Sequence, residues 1–483
     1  MGIEISTIRY LLISVCVTVL LYLLTISISF LHKVWWKPIH IQNLLASQGI
    51  KGPPYKFLYG NTQEMFKMVK ETMTKPMENY LQSHDIFPQV KPHRHSWINI
   101  YGKNFLSWRG PEPLLCVTEP ELIKEILNNK DGVYLKPETK GHVKMILGNG
   151  LSMINGEKWV QRRKLANHAF YAESLKGVVP AMITAVEVML EKWKDHEGKE
   201  IDVYEEFRIL TSEVISRTAF GSSYLEGKNM FEMLTDLVKL GSTASSNSFF
   251  KIRLPFFEKE EMMKNRELSD GYGRDYLSLL LNANKDADEL KRISIQDMVD
   301  ECKTMYFAGH ETTASLLTWT CLLLAIHTDW QDKARKEVIG LMGEKSQILD
   351  EKCIAKLKIV NMIINESLRL YPPVLGSPRT IDRQVRLGKF TLPSDMNVGF
   401  SIIAVHHDPK ICGEDVHKFK PDRFSGGTVK ATNNNPMAFI PFGYGPRTCV
   451  GFQLRNDREQ DCSGDDFTKI LLYSFACICS LPS

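Results

Sequence analysis

The sequence predicts a mainly α fold with small β-sheets, carried behind an N-terminal transmembrane helix. Three observations lead there. Residues 10–31 carry no charge and are rich in Leu, Ile and Val. Long apolar-periodic stretches over 180–193, 293–326, 331–342 and 355–370 read as helices. Short strand candidates punctuated by Pro and Gly gather around 378–398.

At about 1.5 Å of rise per residue, a helix over 10–31 crosses the roughly 30 Å hydrocarbon core in a single pass. A cleaved signal peptide is the competing reading, but the apolar run exceeds the roughly 7–15 residues of a signal h-region. No small-x-small cleavage site precedes the basic flank either. Lys33 and Lys37 follow the run with Trp35 and Trp36 beside them, against Arg9 and Glu4 before it, so the positive-inside rule puts the C-terminal bulk in the cytosol. Gly52, Pro53 and Pro54 stiffen the exit and keep the anchor helix from continuing. The expected division is an anchor at 1–37, a proline-containing linker at 38–62 and a catalytic body over 63–451.

The helices of that body follow from period 3.6, and its composition is ordinary: 43% hydrophobic and 24% charged residues bury a sizeable core. Sixty basic residues against 56 acidic ones give a net charge of only +4, so no nucleic-acid footprint stands out. The ten cysteines show no C-x-x-C pairing and no small secreted framework, which favours thiols in a reducing compartment.

One of those cysteines differs from the rest. Cys449 lies in Phe442-Gly443-Tyr444-Gly445-Pro446-Arg447-Thr448-Cys449-Val450-Gly451, where glycines permit positive φ and close backbone approach to a planar cofactor. A buried thiol in a Gly-rich turn is the bland alternative, and the better one for any other cysteine here. The pattern F-G-x-G-x-R-x-C-x-G resembles the haem-ligand loop of the cytochrome P450 superfamily. That resemblance implies the cytochrome P450 fold, haem b (iron protoporphyrin IX) as cofactor and the Cys449 thiolate as the iron's axial ligand, with Phe442 at the cofactor.

Four further groups of residues fit the resemblance. Glu366-Ser367-Leu368-Arg369 places an acid and a base on one helical face, and Pro421-Asp422-Arg423-Phe424 supplies a second arginine. They look like the family's E-x-x-R helix and P-x-R-F loop, which implies a buried network of Glu366, Arg369 and Arg423. Ala308-Gly309-His310-Glu311-Thr312-Thr313 interrupts an apolar helical run. Thr312 can bond a carbonyl in the preceding turn or turn away, and Gly309 lets the helix bend and open a groove. A plain kink with a satisfied threonine is the competing reading. The stretch is similar to the family's A-G-x-[DE]-T-[TS] motif, so Thr312 would hold a proton-delivering water and Glu311 would relay protons. His310 occupies the motif's variable position and is not read as a ligand. Trp159 and Arg163, four apart, resemble the W-x-x-x-R helix that answers the haem propionates, and Arg379 and Arg447 match positions with the same task. Alone, each arginine would more often be a surface residue.

Trp330-Gln331 with Ala334-Arg335, and Tyr371-Pro372-Pro373, resemble the plant clan that contains secologanin synthase, brassinosteroid- and gibberellin-modifying hydroxylases and triterpenoid oxidases. The implied chemistry is insertion of one oxygen atom from O2 into a small hydrophobic molecule, plausibly a terpenoid or plant-hormone-like compound. Electrons would come from NADPH through a membrane-bound NADPH-cytochrome P450 reductase. The implied location is the endoplasmic reticulum membrane, single-pass, with the catalytic domain facing the cytosol.

After Gly451 the resemblance stops. The family continues with an amphipathic helix and a terminal β-hairpin that touches the substrate pocket, whereas 453–466 here is almost wholly polar. Leu454 to Leu472 can be encoded by a choice of codons that, read one base later, spells CAMTESKIALAMILQRYS, an apolar-periodic helix with the family's A-x-x-E start. Allowed codons beyond it give FILSPVYVHSP, similar to the family's last strands. A one-base frameshift near 452–454 and an aberrant tail over 452–483 are therefore expected. Two other readings stand beside the active monooxygenase: a catalytically impaired frameshifted product that binds haem poorly, and a non-oxygenase haem enzyme, which the intact Glu311-Thr312 pair disfavours.

Overall fold

The computed structural model describes residues 2–74, 83–138, 144, 148–170, 179–196, 198–221, 275–286, 288, 292–342 and 356–451. The expected tail at 452–483, with its frameshift, lies outside the described residues, as does Ala355 at the start of one expected helix. Two compact units divide the chain: 1–78, 86–135 and 376–404 form the first, and 79–85, 136–375 and 405–483 the second.

An uncharged run of Leu, Ile and Val can satisfy its backbone in lipid only as a helix, and α1 spans Gly2–Leu31. Every side chain from 10 to 31 is exposed, and α1 begins the one candidate membrane span among the described residues. The helix does not stop at Pro38. A π-helical turn, His32–Trp36, leads into α2, Lys37–Ser47. Pro38 follows closely on the π-helical turn, an irregularity that lets the helix pass a proline, so the first part of the expected linker is helical. Val34, Ile41 and Leu45 are buried. The Tyr55 hydroxyl donates to Val34 O. Gln48 and Thr391 exchange two bonds, Gln48 Nε2 to Thr391 O at 3.0 Å and Thr391 N to Gln48 Oε1 at 2.6 Å.

The rest of the first unit holds α3 (Thr62–Met73), α4 (Pro92–Tyr101), α5 (Pro120–Asn128) and two sheets. A hairpin of β1 (Asn104–Arg109) and β2 (Glu112–Val117) turns at Gly110, φ 57°, and sequence periodicity misses it. Beside it lie β3 (Tyr134–Leu135), β4 (Pro378–Ile381) and β7 (Asn397–Phe400), in the order β1-β2-β7-β4-β3, with β2 and β7 parallel. A separate hairpin joins β5 (Val385–Leu387) to β6 (Phe390–Leu392). Gly52 is required by close approach, since a Cβ there would lie 1.8 Å from Leu106 O.

The second unit is helical: α6 (Gly156–Ala169), α7 (Val179–Lys194), α8 (Val203–Phe220), α9 (Tyr276–Asn284), α10 (Ile295–Ile326), α11 (Thr328–Met342) and α12 (Lys358–Leu370). Side-chain caps set three of the starts: Asp202, Asp275 and Ser294 accept from backbone N–H groups of α8, α9 and α10, each cap worth about 1 kcal/mol. The core joins Ala166 and Ala169 of α6, Ile215 and Phe220 of α8, Tyr276 and Leu280 of α9, and Met298, Met305 and Tyr306 of α10.

Candidate active site

The cysteine loop is built by its glycines. Gly443 (φ 78°) and Gly445 (φ 73°) take the left-handed backbone that L side chains avoid, and a 3-10 turn, Gly445–Arg447, follows. The Phe442 carbonyl ties the loop closed, accepting from Cys449 N at 2.9 Å and Thr448 Oγ1 at 3.3 Å. Val450 packs on the core formed by α6, α8, α9 and α10, so the loop is seated on the helices that carry the other motifs. Of the described cysteines, Cys116, Cys302 and Cys412 are buried and Cys321 is half-buried, while Cys449, like Cys16 in α1, is exposed. Burial pushes the thiols of Cys116, Cys321 and Cys412 up and makes them inert.

Two guanidiniums accompany that sulfur. Arg163, one turn after Trp159 on α6, donates to Thr448 O at 2.6 Å. Arg447 donates to Ile154 O (2.7 Å) and Asn155 Oδ1 (3.0 Å) and lies over the Trp159 ring at 4.6 Å. These partners are neutral oxygens and a π-face, and among the described residues no acid pairs with either cation. Burial, followed by the Arg163 charge, lowers the Arg447 pKa to about 10. Burial lowers that of Arg163 too, with the Cys449 sulfur pulling the other way. A desolvated cation pair of this kind is a seat for carboxylates.

The α6 helix is held in place by its next residue. Arg162, fully buried, bonds Glu301 Oε1 and Asp297 Oδ2 of α10, each at 3.0 Å. Glu301 also accepts from Leu151 N (3.1 Å) and the Tyr276 hydroxyl (2.9 Å), and burial still raises its pKa against the pull of Arg162. Sequence reading passes over this cluster, because its members come from three helices and share no local spacing.

The α10 helix is unbroken through 308–313. Thr312 Oγ1 donates to Ala308 O at 2.6 Å and Thr313 Oγ1 to Gly309 O at 2.7 Å, the satisfied-threonine geometry. Gly309, read from the sequence as a bend, instead admits a neighbouring helix: a Cβ there would lie 2.6 Å from Ile215 Cδ1 of α8. Glu311, one quarter exposed, accepts from the Tyr204 hydroxyl at 3.0 Å. Burial and then the Glu311 charge push the Tyr204 pKa up to about 12, so the phenol remains a donor. His310 stacks on Tyr306 (5.0 Å, 14°), and burial lowers its pKa to about 4.

Glu366, Arg369 and Arg423 come together. Arg369 holds Glu366 in a bidentate pair, Nε to Oε2 at 2.7 Å and Nη2 to Oε1 at 2.8 Å, both residues buried. It also donates to His406 O (3.1 Å) and Val416 O (2.7 Å). Arg423 approaches Glu366 Oε2 at 3.7 Å and pairs with Asp415 Oδ1 at 2.8 Å. Arg379 belongs to the first unit, on β4, where it donates to Ser377 Oγ (2.7 Å) and Pro378 O (2.9 Å).

The sequence model of the cytochrome P450 family matches residues 79–454. The chain belongs to the cytochrome P450 family. It is 50% identical to cytochrome P450 CYP749A22 of Panax ginseng over 94% of this chain and 89% of that one. Cytochrome P450 734A1 of Arabidopsis thaliana is 39% identical over 87% and 84%. Echinocystic acid 23-monooxygenase of Saponaria officinalis is 36% identical over 88% and 87%. This is a cytochrome P450 of plant type, an oxidoreductase of the monooxygenase class, and its family's cofactor is haem. The residues present fit that group in their chemistry: an exposed thiol can ligate iron, and two cations with neutral partners can accept carboxylates.

Proposed function

We propose that this cytochrome P450 is anchored by α1 in the endoplasmic reticulum membrane with its catalytic body facing the cytosol. It oxidises a small hydrophobic terpenoid or hormone-like molecule with electrons from NADPH through NADPH-cytochrome P450 reductase. The observation that carries the reading is the exposed Cys449 thiol beside Arg163 and Arg447. Haem, when bound, supplies the iron that activates O2 so that one oxygen atom enters the substrate. Cys449 would ligate the iron; Trp159, Arg163, Arg379 and Arg447 would answer the propionates; Phe442 would flank the ring. Glu366, Arg369 and Arg423 brace the core under the loop. The name of the Saponaria relative, echinocystic acid 23-monooxygenase, supports the substrate class.

Thr312 and Glu311 divide proton delivery. The Thr312 hydroxyl, turned from Ala308 O toward a water, would hold that water's proton in line, and Glu311, oriented by Tyr204, would resupply it. Thr312→Ala is expected to keep haem and substrate binding but to divert reducing equivalents to hydrogen peroxide. Unchanged product per NADPH would make Thr312 a purely structural residue.

A second reading concerns the chain as written. The family match ends at residue 454, where Gln453, Arg455, Asp457, Arg458, Glu459 and Asp461 replace the family's apolar helix. Burying such groups unpaired would cost several kcal/mol, on the order of a domain's whole stability. We infer a one-base frameshift near 452–454 that leaves the loop without its backing. The written chain is expected to show little thiolate-type band in a reduced, carbon monoxide difference spectrum, and the chain with the one-base correction to recover it. Equal haem occupancy and turnover in the two chains would refute this.

A further inference from the structure

Away from the cysteine loop, one group in the second unit has the chemistry of a metal site. Asp85, His407 and His417 each offer a ligand atom, and these atoms lie within 4.8 Å of one another. Asp85 Oδ1 is 3.8 Å from His407 Nδ1 and 3.8 Å from His417 Nδ1. His407 is the decisive member. Its side chain is only 2% exposed, its Nε2 bonds Leu370 O at 3.0 Å, and its buried Nδ1 has no hydrogen-bond partner. A carbonyl accepts only, so Nε2 carries a proton, and Nδ1, which faces Asp85, is the nitrogen left for an ion. A metal-bound imidazole has the same arrangement, with the outer nitrogen donating to a carbonyl and the inner one left to the ion.

The backbone beneath all three ligands is pinned. Arg369 Nη1 donates to the carbonyls of His406 and Val416, the residues immediately before His407 and His417. His84 N donates to His417 O at 2.9 Å, which fixes the residue next to Asp85. Arg369, the cation that holds these two loops, is neutralised by bidentate Glu366.

We propose that Asp85, His407 and His417 form a zinc site, with two imidazole nitrogens, one carboxylate oxygen and a fourth position open to water. The donor set suits zinc, and bonds of about 2.0–2.1 Å would place tetrahedral ligands roughly 3.3 Å apart. Two 3.8 Å edges need only a small contraction, and Asp85 and His417, both about one third exposed, can move and give the ion its entry path. Zinc would clasp the segment before Phe87 to the two loops that Arg369 already holds.

The test uses the full-length chain in detergent micelles, dialysed against zinc chloride, with bound metal counted by mass spectrometry. The parent should hold one zinc more than Asp85→Asn and His417→Ala, whose affinity falls at least about tenfold. Both positions are partly exposed, so the variants should keep the parent's far-ultraviolet circular dichroism. A measurement free of substitutions accompanies it: zinc should slow amide hydrogen exchange at 83–85, 406–407 and 416–417 in the parent. Equal zinc in parent and variants, or unchanged exchange on adding zinc, overturns the proposal and leaves a histidine–aspartate ion pair.

Discussion

Cys449→Ser is expected to abolish turnover and the thiolate-type carbon monoxide band of the frame-corrected chain, while the protein stays membrane-bound. A serine hydroxyl does not ionise at neutral pH and donates far less electron density than a thiolate. Every other element of the loop survives the change, because the closing bonds to Phe442 O come from Cys449 N and Thr448 Oγ1 and not from the sulfur. A variant that kept the band would transfer the ligand role to another residue, yet Cys116, Cys302 and Cys412 are buried.

Loss of Arg369 carries the largest expected cost in stability. Its guanidinium satisfies both oxygens of a fully buried carboxylate and two backbone carbonyls. Arg369→Ala leaves the Glu366 charge with Lys420 N at 3.0 Å and only the looser approach of Arg423 at 3.7 Å. Stranding one member of a buried pair costs about 3–5 kcal/mol, and the orphaned carbonyls add to it. Such a loss is a large share of a domain's margin of about 5–15 kcal/mol. Urea unfolding of the frame-corrected protein, followed by tryptophan fluorescence, should show a midpoint far below the parent's. A coincident midpoint would reduce the network to an ornament of the fold. Double replacement by apolar residues should not rescue it, since His406 O and Val416 O would still lack a donor.

The parts of this molecule that are legible in sequence are local ones. The cysteine loop shows itself because glycines that need positive φ stand at fixed offsets from the thiol. Four helices of the second unit, α7, α10, α11 and α12, show themselves through period 3.6, whereas α8 and α9 do not. What sequence conceals is partnership across the chain. Gly309 reads as a hinge from its own helix, and only the approach of Ile215 from α8 shows why a side chain is excluded. Tyr204 gives no sign that it orients Glu311, nor Arg162 that it fixes the helix bearing Trp159 and Arg163. The β1–β2 hairpin escapes notice because four consecutive residues of β1 are buried and the alternation that marks a half-exposed strand is missing. The boundary expected between anchor and linker, after Lys37, falls inside a continuous helix, because a π-helical turn carries the chain past Pro38.

The continuity of α1 through the π-helical turn into α2 changes what kind of attachment the anchor is. With Val34, Ile41 and Leu45 sunk into the first unit and Gln48 double-bonded to Thr391, the membrane helix joins its unit as a mast set in a deck, not as a buoy on a rope. With α1 in the membrane as proposed, the sheet of that unit would ride at one height and one tilt over the lipid. A residue inserted between Leu31 and Lys37 would swing the unit about 100° around the mast, the rotation of a single helical step.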